Sequence, residues 1–521
     1  VNTDGGMVVP GQWFVDNSKN PKKSDGGLKS EKRMLSAIFA LNLGWKNQVY
    51  LDVTGRNDWS SALVYANGTG NHSYFYPSVS GSWIISETFR EQLPEWISFA
   101  KVRGSWAQVG NDTDPYYVNQ AYGFGTIELP NGGNIYKNAW EIGLDFRTFK
   151  NRLNLDVTYY KENTKDQIME IATPWVSGIS TQLINAGNIQ NQGIELALNT
   201  IPFQNEDWEW GLDFTWTKNT SKIVELHPDA AEYISLAGQV NAYDYRIGSV
   251  AKVGGSYGML MTDILPARDD QGRVLLNYSD TRRAVYERRS GVVQELGDMQ
   301  PDFLGSMSTS LRWKNLSLHV GLDMRIGGLV AMYSNRYGSN AGWTKTSLKY
   351  RDAASGGLTW TSQYAGGSNG ITYEDGVILE GVFAPGTSAT GIDGKSHDIS
   401  GMTHQQAIDA GIIEPTHASA YHVFRNSWGE GVVNDDWVHE LSYIALRDIT
   451  LSYRMPKSIA SKIGAKGLNL SLAARNVGYI YNSLPNNVHP ESVRGNRSAE
   501  FRIRGYEPYI RNYTFTINAE F

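Results

Sequence analysis

Cysteine is absent from the sequence, and no stretch approaches the roughly 20 consecutive apolar residues that a membrane-spanning helix needs. The first absence excludes disulfides and thiolate metal sites. The second, with a mean hydropathy of -0.38, excludes a helical membrane protein. The formal net charge of -6 over 521 residues gives no indication of nucleic-acid binding. Because no HExxH or Walker sequence occurs, we predict no cofactor, no metal and no catalytic site.

What the sequence does contain is an alternation of apolar and polar residues with a period of two. The last thirteen residues place one set on one face, namely Tyr509, Tyr513, Phe515, Ile517, Ala519 and Phe521. The polar set on the other face is Asn512, Thr514, Thr516, Asn518 and Glu520, and only Ile510 and Arg511 break the pattern. Strand side chains alternate between two faces, so such a segment can separate lipid from water.

The same alternation recurs along most of the chain and predicts an all-β protein, an antiparallel transmembrane β-barrel. We count about thirteen strands, or about fifteen if residues 225–300 contribute a further pair. The side chains predicted to face the lumen include charges of both signs, which favours no singly charged substrate: Asp52, Arg56, Asp145, Arg147, Asp213, Asp323, Arg325 and Arg475. A soluble β-sandwich or solenoid also alternates, but outward Trp and Leu on so many strands would leave too much apolar surface in water.

The connections between strands alternate between short and long. Short ones are predicted at residues 44–47, 148–151, 202–207 and 313–315, and long ones at 58–73, 110–138, 225–300 and 334–439. Outer-membrane barrels have short periplasmic turns, elaborate outer loops and an even strand count. An odd count places residues 1–32 in an extracellular loop. We therefore expect residues 33–521 to be the C-terminal part of a larger barrel that other residues complete.

Several blocks resemble the barrel of the SusC-like TonB-dependent transporters of the Bacteroidota. They are YLDVTGRNDWSS (50–61), YPSVSGSWIISE (76–87), KVRGSWAQVGN (101–111), NAGNIQNQGIEL (185–196), GDMQPDF (297–303) and YIALRDITLSY (443–453). His489-Pro490-Glu491 stands near the end, where that family usually has Asp-Pro-Glu. Together these blocks span nearly the whole chain in the family's order.

The resemblance implies a 22-stranded barrel closed by an N-terminal plug, and this plug is absent from the chain. It also implies an outer-membrane location, a SusD-like surface lipoprotein as a lid, energy from TonB with ExbB and ExbD, and complexes that often dimerise. The implied function is active import of a bulky nutrient, a glycan or an oligopeptide. The alternatives are a passive porin and a structural or adhesin barrel, and a plug upstream of residue 1 would separate them from a transporter. We find no set of inward residues that predicts an enzyme.

The longest predicted loop carries many aromatic residues among Gly, Ser, Asn and Thr. Aromatic faces beside amides and hydroxyls suit sugar rings and also extended peptides, so glycan and peptide remain open. The ligand-binding candidates are Trp343, Tyr350, Trp360, Tyr364, Trp428 and Trp437. The competing interpretation is that these aromatics fold the loop or contact the lipoprotein lid.

Overall fold

The computed structural model confirms an almost entirely β protein. It describes residues 8–9, 19, 31–64, 68, 70, 72–112, 126–127, 135–172, 181–226, 232–238, 240, 246–279, 281, 283–288, 292–365, 368–426, 433–493, 499–505 and 508–521. The segment predicted as an extracellular loop, residues 1–32, lies almost wholly outside the described residues. No helix among the described residues is long and apolar enough to cross a membrane.

Thirteen antiparallel strands form one continuous wall in which each strand pairs with the next wall strand along the chain. They are β1 (Met34–Trp45), β2 (Val49–Ser60), β3 (Ser73–Ile84), β4 (Ile97–Asn111), β5 (Ile135–Thr148), β6 (Leu153–Ala172), β7 (Thr181–Gln204), β8 (Trp208–Glu225), β9 (Phe303–Trp313), β10 (Leu316–Ile326), β11 (Tyr443–Arg454), β12 (Gly467–Asn482) and β13 (Asn512–Glu520). Thr126–Ile127 adds a short parallel bridge to the start of β7. Among the described residues, β1 pairs only with β2 and β13 only with β12, so the wall has two open edges.

The register gives the wall two chemically different faces. Residues directly opposite each other in an antiparallel pair lie on the same face, so a fixed register keeps each set together. Leu318, Leu451 and Leu472 lie side by side on one face. The neighbouring row, on the other face, contains Thr450 and the His319 opposite it. The alternation read in the sequence therefore becomes one apolar and one polar face across the sheet.

The terminal strand explains the two exceptions to the pattern in the last thirteen residues. The strand begins at Asn512, so Ile510 and Arg511 precede it and are not bound by its alternation. From Tyr513 to Ala519 the apolar side chains face one side without exception, opposite Leu468, Leu470 and Leu472 of β12. The alternation is thus more regular within β13 than over the last thirteen residues as a whole.

Short turns join the strands at one end of the wall, as predicted. Lys46 and Asn47 between β1 and β2, Asn151 between β5 and β6, and Lys314 between β9 and β10 all have positive φ. Such left-handed residues allow a chain to reverse within a few positions. At the same end, α1 (Ile85–Thr88) precedes β4, and α5 (Lys457–Ala460) with the 3-10 turn Ser461–Ile463 precedes β12.

The long connections at the other end fold into small sheets and cores of their own. Residues 226–302 contain the strands Tyr233–Gly238, Ile247–Lys252, Tyr257–Thr262, Leu275–Ser279, Arg283–Tyr286 and Gln294–Asp298. None of these joins the wall, so the alternative of about fifteen wall strands was wrong. The reason is that these strands are buried on one another, whereas wall strands expose one apolar face.

The connection between β10 and β11 is the longest and contains most of the helical turns. Its elements are Leu329–Met332, α2 (Tyr333–Asn340), the 3-10 turns Lys345–Leu348, Ala353–Ser355 and Asp435–Trp437, the strands Leu358–Thr361, Thr372–Val377, Val382–Phe383, Ser388–Thr390, Ser396–Asp398, Thr416–His417 and Val438–Glu440, α3 (His404–Asp409) and α4 (Ala418–Asn426). Leu276 and Ala284 of the preceding long loop share a core with Phe383 and Ile399 of this one. Residues 483–511 add the 3-10 turn Pro485–Asn487 and the strand Arg502–Ile503, whose Ile503 packs against Met332. Three loops therefore pack into one folded cap.

Candidate functional site

The predicted lumen residues all lie on wall strands, from β2 to β12, and they do not form one site. Asp213 accepts hydrogen bonds from Asn199 Nδ2 at 2.8 Å and Ser308 Oγ at 3.1 Å. Asp52 accepts from the Asn42 amide and from Ser80 Oγ at 3.4 Å. These partners sit on adjacent strands at the same register, so the polar face holds a lateral network of hydrogen bonds.

Most charges on this face are paired with an opposite charge. Arg56 Nε lies 2.7 Å from Asp58 Oδ1, and Arg147 Nη2 lies 2.9 Å from Asp145 Oδ2. Arg475 is exposed and lies opposite Asp448 in the register. Pairing between neighbours neutralises much of the face locally, which agrees with a hydrated wall rather than with a field of one sign.

Arg325, at the end of β10 next to the loop cap, supports a loop instead of facing open solvent. Its Nη2 donates to the Met299 carbonyl at 2.9 Å, and its Nε has no hydrogen-bond partner among the described residues. Met299 belongs to the GDMQPDF block, in which Gln300 Nε2 also donates to Ser221 Oγ at 2.8 Å and to the Tyr257 carbonyl at 2.9 Å. This block therefore joins the 226–302 loop to the wall.

A cavity of about 620 Å³, here called the wall cavity, lies against the polar face between β4 and β8. Its lining includes Glu141, Glu162 and Glu195, with Tyr160 and Asn219 beside them. Tyr160 Oη donates to Asn219 Oδ1 at 3.0 Å. Lys137 Nζ pairs with Glu162 at 2.5 Å, so one of the three carboxylates is neutralised.

Glycine lets long side chains lie flat in this region of the wall. A Cβ built on Gly193 would stand 2.6 Å from Tyr160 Oη and 2.5 Å from the Lys218 carbonyl. A Cβ on Gly143 would stand 2.6 Å from Arg103 Nε. Arg103 crosses this glycine to reach Asp156 Oδ2 at 2.8 Å. The glycines therefore make room for the side chains that tile the polar face.

The predicted ligand-binding aromatics fall into different environments. Tyr364 and Trp437 are 7% and 4% exposed and belong to the loop cores. Trp360 stacks on Tyr373 with 5.1 Å between ring centroids, and Tyr350 meets Tyr421 edge-on. Trp428 lies outside the described residues.

Trp343 differs from the other candidates because 85% of its surface is exposed. It borders a cavity of about 1010 Å³, here called the Trp343 cavity. The cavity lies between the segment after α2 on one side and the end of β12 with the loop that follows it on the other, where Tyr479 and Tyr509 form part of the lining. Asn486 Nδ2 donates to Asn335 Oδ1 at 2.6 Å and holds these two loop segments together.

One network that we did not predict fixes the loop between β12 and β13 to the wall. Arg447 donates to both carboxylate oxygens of Glu491 at 2.9 and 2.6 Å, and its Nε donates to Asp323 Oδ2 at 2.6 Å. Tyr479 Oη donates to Glu491 Oε2 at 2.8 Å and lies 3.0 Å from His489 Nδ1. The Arg447 guanidinium holds the pKa of Glu491 below its usual value.

The His489-Pro490-Glu491 sequence was the one signal for this network. The Glu491 N–H donates to His489 Nδ1 at 3.2 Å, so position 489 has to present a hydrogen-bond acceptor. An aspartate carboxylate at this position would also present a hydrogen-bond acceptor. Arg447 itself could not be singled out, because its partner lies 44 residues away.

Comparisons with known proteins agree with this architecture. Residues 11–258 match the family model described as TonB dependent receptor-like, beta-barrel. The TonB-dependent receptor P3 of Formosa agariphila is 22% identical over 99% of this chain and 49% of its own length. The TonB-dependent receptor SusC of Bacteroides thetaiotaomicron is 22% identical over 57% of this chain and 31% of its own length.

Among solved structures, the RagAB peptide transporter superposes with a TM-score of 0.64 at 19% sequence identity. The match covers 94% of this chain and 48% of that chain, and it shows a shared fold. The chain thus spans about half the length of the RagAB chain and of receptor P3.

Proposed function

We propose that this chain, which is similar to SusC and other TonB-dependent receptors, is part of a transporter that imports a bulky nutrient across the outer membrane. The observation that carries the proposal is the wall itself, with one apolar and one polar face and a folded cap of long loops at one end only. An apolar outer face suits lipid, and a polar inner face suits a hydrated path. The nutrient classes that the exposed aromatics and amides support are glycans and oligopeptides.

We further propose that the complete transporter contains parts that lie outside this chain. A barrel of about 22 strands encloses a lumen wide enough to need a plug, and residues 33–521 would form its C-terminal part. A plugged barrel passes nothing until the plug moves, and the outer membrane holds no nucleotide supply of its own. We therefore assign the energy to TonB with ExbB and ExbD, and the lid over the loop cap to a SusD-like lipoprotein. The transporter and its lipoprotein would work as one pair or as a dimer of two such pairs.

Deletion of the gene that encodes the chain tests this proposal. We expect loss of growth on one nutrient in a panel of glycans and peptides, and restoration by the intact gene. Uptake of that nutrient should stop when the proton-motive force is collapsed, because TonB draws on it. Uptake that persists without the force would favour a passive porin, and unchanged growth across the panel would contradict import.

A further inference from the structure

The Trp343 cavity has a lining that is rich in rings and amides and carries charge of one sign. Lys345 and Arg511 line it, and no carboxylate does. Neither cation has an ion-pair partner within the described part of the chain, and both are exposed. On the polar face of the wall, by contrast, most described cations have a carboxylate within 4 Å. The cavity is therefore a local region of unneutralised positive charge.

The rings around the cavity present faces and edges at two sides. Trp343 is 85% exposed on one side. On the other side, Tyr479, His489 and Tyr509 pack together with centroid distances of 5.1 to 5.7 Å. The Tyr509 hydroxyl has no hydrogen-bond partner among the described residues. An exposed indole opposite a fixed aromatic cluster suits a saturated sugar ring, which presents C–H groups on its faces and oxygens at its edge.

Contacts within the protein hold the cavity in shape before any ligand binds. Asn486, in the loop between β12 and β13, donates a hydrogen bond to Asn335 of α2 and so links the two sides of the cavity. The Arg447–Glu491 pair anchors the segment that carries His489. Asn482 Nδ2 donates to the Val488 carbonyl at 2.8 Å and closes the turn between them. A site that is formed before binding loses less conformational entropy when a ligand enters.

We propose that the Trp343 cavity binds an anionic sugar unit, such as a uronate, of an oligosaccharide. Trp343 stacks on the sugar ring, while Lys345 and Arg511 attract its carboxylate and set the preference for acidic over neutral sugars. This inference rests on the proposed import function and narrows its substrate class to acidic glycans. A peptide would use backbone hydrogen bonds more than ring stacking, and the exposed indole favours the sugar.

The test uses the complete transporter purified in detergent, titrated by calorimetry with tetragalacturonate, maltotetraose and tetraglycine. We expect tetragalacturonate to bind at least about tenfold more tightly than maltotetraose in 50 mM salt, and the preference to shrink at 500 mM because salt screens exposed charges. Lys345→Gln with Arg511→Gln should remove the preference. Trp343→Ala should weaken the binding of both sugars, and Trp343→Phe should retain most of the affinity.

Lys349→Gln is the matched control, because Lys349 lies in the same segment but outside the cavity and rests 4.6 Å from the Tyr350 ring. It should bind as the wild type does. Equal affinity for the two sugars, a preference that survives the double variant, tighter binding of tetraglycine, or no binding at all would overturn the subsite. If energy-dependent uptake of the growth nutrient persists in that case, only the subsite fails. If that uptake is also independent of the proton-motive force, the import proposal fails as well.

Discussion

Arg447 connects its own strand β11 with the neighbouring strand β10 and with the loop between β12 and β13. It joins Asp323 of β10 and Glu491 of the β12–β13 loop through its own strand β11. Charge-assisted bidentate pairs of this kind are short and directional. The Arg447 guanidinium therefore fixes one point at which the loop that carries His489 and Tyr509 meets the barrel wall.

Glu491→Gln should loosen the loop between β12 and β13. The amide keeps the size of the carboxylate but loses the ionic half of the Arg447 pair, for which we expect about 1 kcal/mol less local stability because Glu491 is exposed to solvent. The measurement is hydrogen exchange of residues 483–493 by mass spectrometry. Glu95→Gln, at an exposed carboxylate near the short turns, should leave this exchange unchanged.

The same carboxylate should make the loop sensitive to acid. The pKa of Glu491 is lowered from 4.5 in the folded protein, chiefly by its hydrogen bonds from Arg447. Folding therefore favours the charged form, and its contribution is complete above pH 4.5 and is lost as the pH falls below that value. Wild-type protection should fall below pH 4.5 while that of Glu491→Gln falls less. Identical pH profiles would contradict this role.

His404 should couple the stability of the loop cap to pH in a higher range. It is fully buried, its Nδ1 accepts from the Leu379 N–H at 3.0 Å, and burial lowers its pKa from 6.5 to about 4. Between these values the unfolded loop binds a proton that the folded loop does not, so stability falls as the pH drops from 6.5 towards 4. The expected slope is about 1.4 kcal/mol per pH unit from this group.

The check is the protection of residues 399–413 against hydrogen exchange at pH 7 and pH 5. His404→Gln keeps a hydrogen-bond acceptor but cannot titrate, so its protection should depend less on pH. His397→Gln is the control, because His397 is only partly buried and pairs with Asp393 at 2.8 Å. A wild-type slope that His404→Gln leaves unaltered would contradict the assignment.

At the scale of the strand, the wall depends on glycines where a long side chain crosses the sheet. In β7, Gly193→Ala would drive a methyl group into Tyr160 Oη and the Lys218 carbonyl. Such overpacking costs about 1–3 kcal/mol, because the main chain must move as well. We expect Gly193→Ala to lower the temperature at which half of the protein no longer migrates as the folded barrel in gel electrophoresis.

Gly81→Ala in β3 is the matched strand-glycine control. The nearest heavy atom to its added methyl group is the Tyr50 carbonyl oxygen at 3.9 Å, an ordinary contact. We expect its midpoint to lie close to that of the wild type. Equal midpoints for the two variants would mean that the Tyr160–Asn219 contact does not shape the wall.

At the scale of the whole molecule, the two faces of the wall should respond oppositely to charge. Leu451→Arg places a guanidinium on the apolar face between Leu318 and Leu472. If that face meets lipid, the cost reaches about 2–4 kcal/mol near the bilayer midplane. The adjacent Thr450→Arg places the same group on the polar face, where water can solvate it.

The measurement is the amount of folded protein in the outer membrane for each variant. Leu451→Arg should reduce it strongly, and Thr450→Arg should leave most of it. The opposite order would mean that the apolar row is not the lipid-facing side, and equal amounts would argue against a membrane wall.

The repetition in the sequence carried the strand prediction because period-two alternation depends only on the neighbours along the chain. The short turns could be read for the same reason, since a few residues with positive φ suffice to make them. The loops could not be read this way. Residues 226–302 looked able to supply a wall hairpin, but their strands bury one another in sheets outside the wall.

The candidate site was predicted less well than the fold. Aromatic content alone did not separate Trp343, which is exposed, from Tyr364 and Trp437, which fill loop cores. Nor did the presence of a charge distinguish Arg325, whose guanidinium supports the Met299 carbonyl, from Arg475, which is open. Burial and pairing arise from contacts between segments far apart in the chain, so no local pattern reports them.

By itself, the amino-acid sequence determined that the chain is a barrel wall with one apolar and one polar face and long loops at one end, because alternation and turn chemistry are local properties. Only the tertiary structure decided which charges neutralise each other, which aromatic ring is left exposed and where the loops enclose a cavity. The Arg447–Glu491 pair joins residues 44 positions apart, and Asn486 reaches back 151 positions to Asn335. Contacts at such separations depend on how the loops pack, and packing is a property of the whole fold.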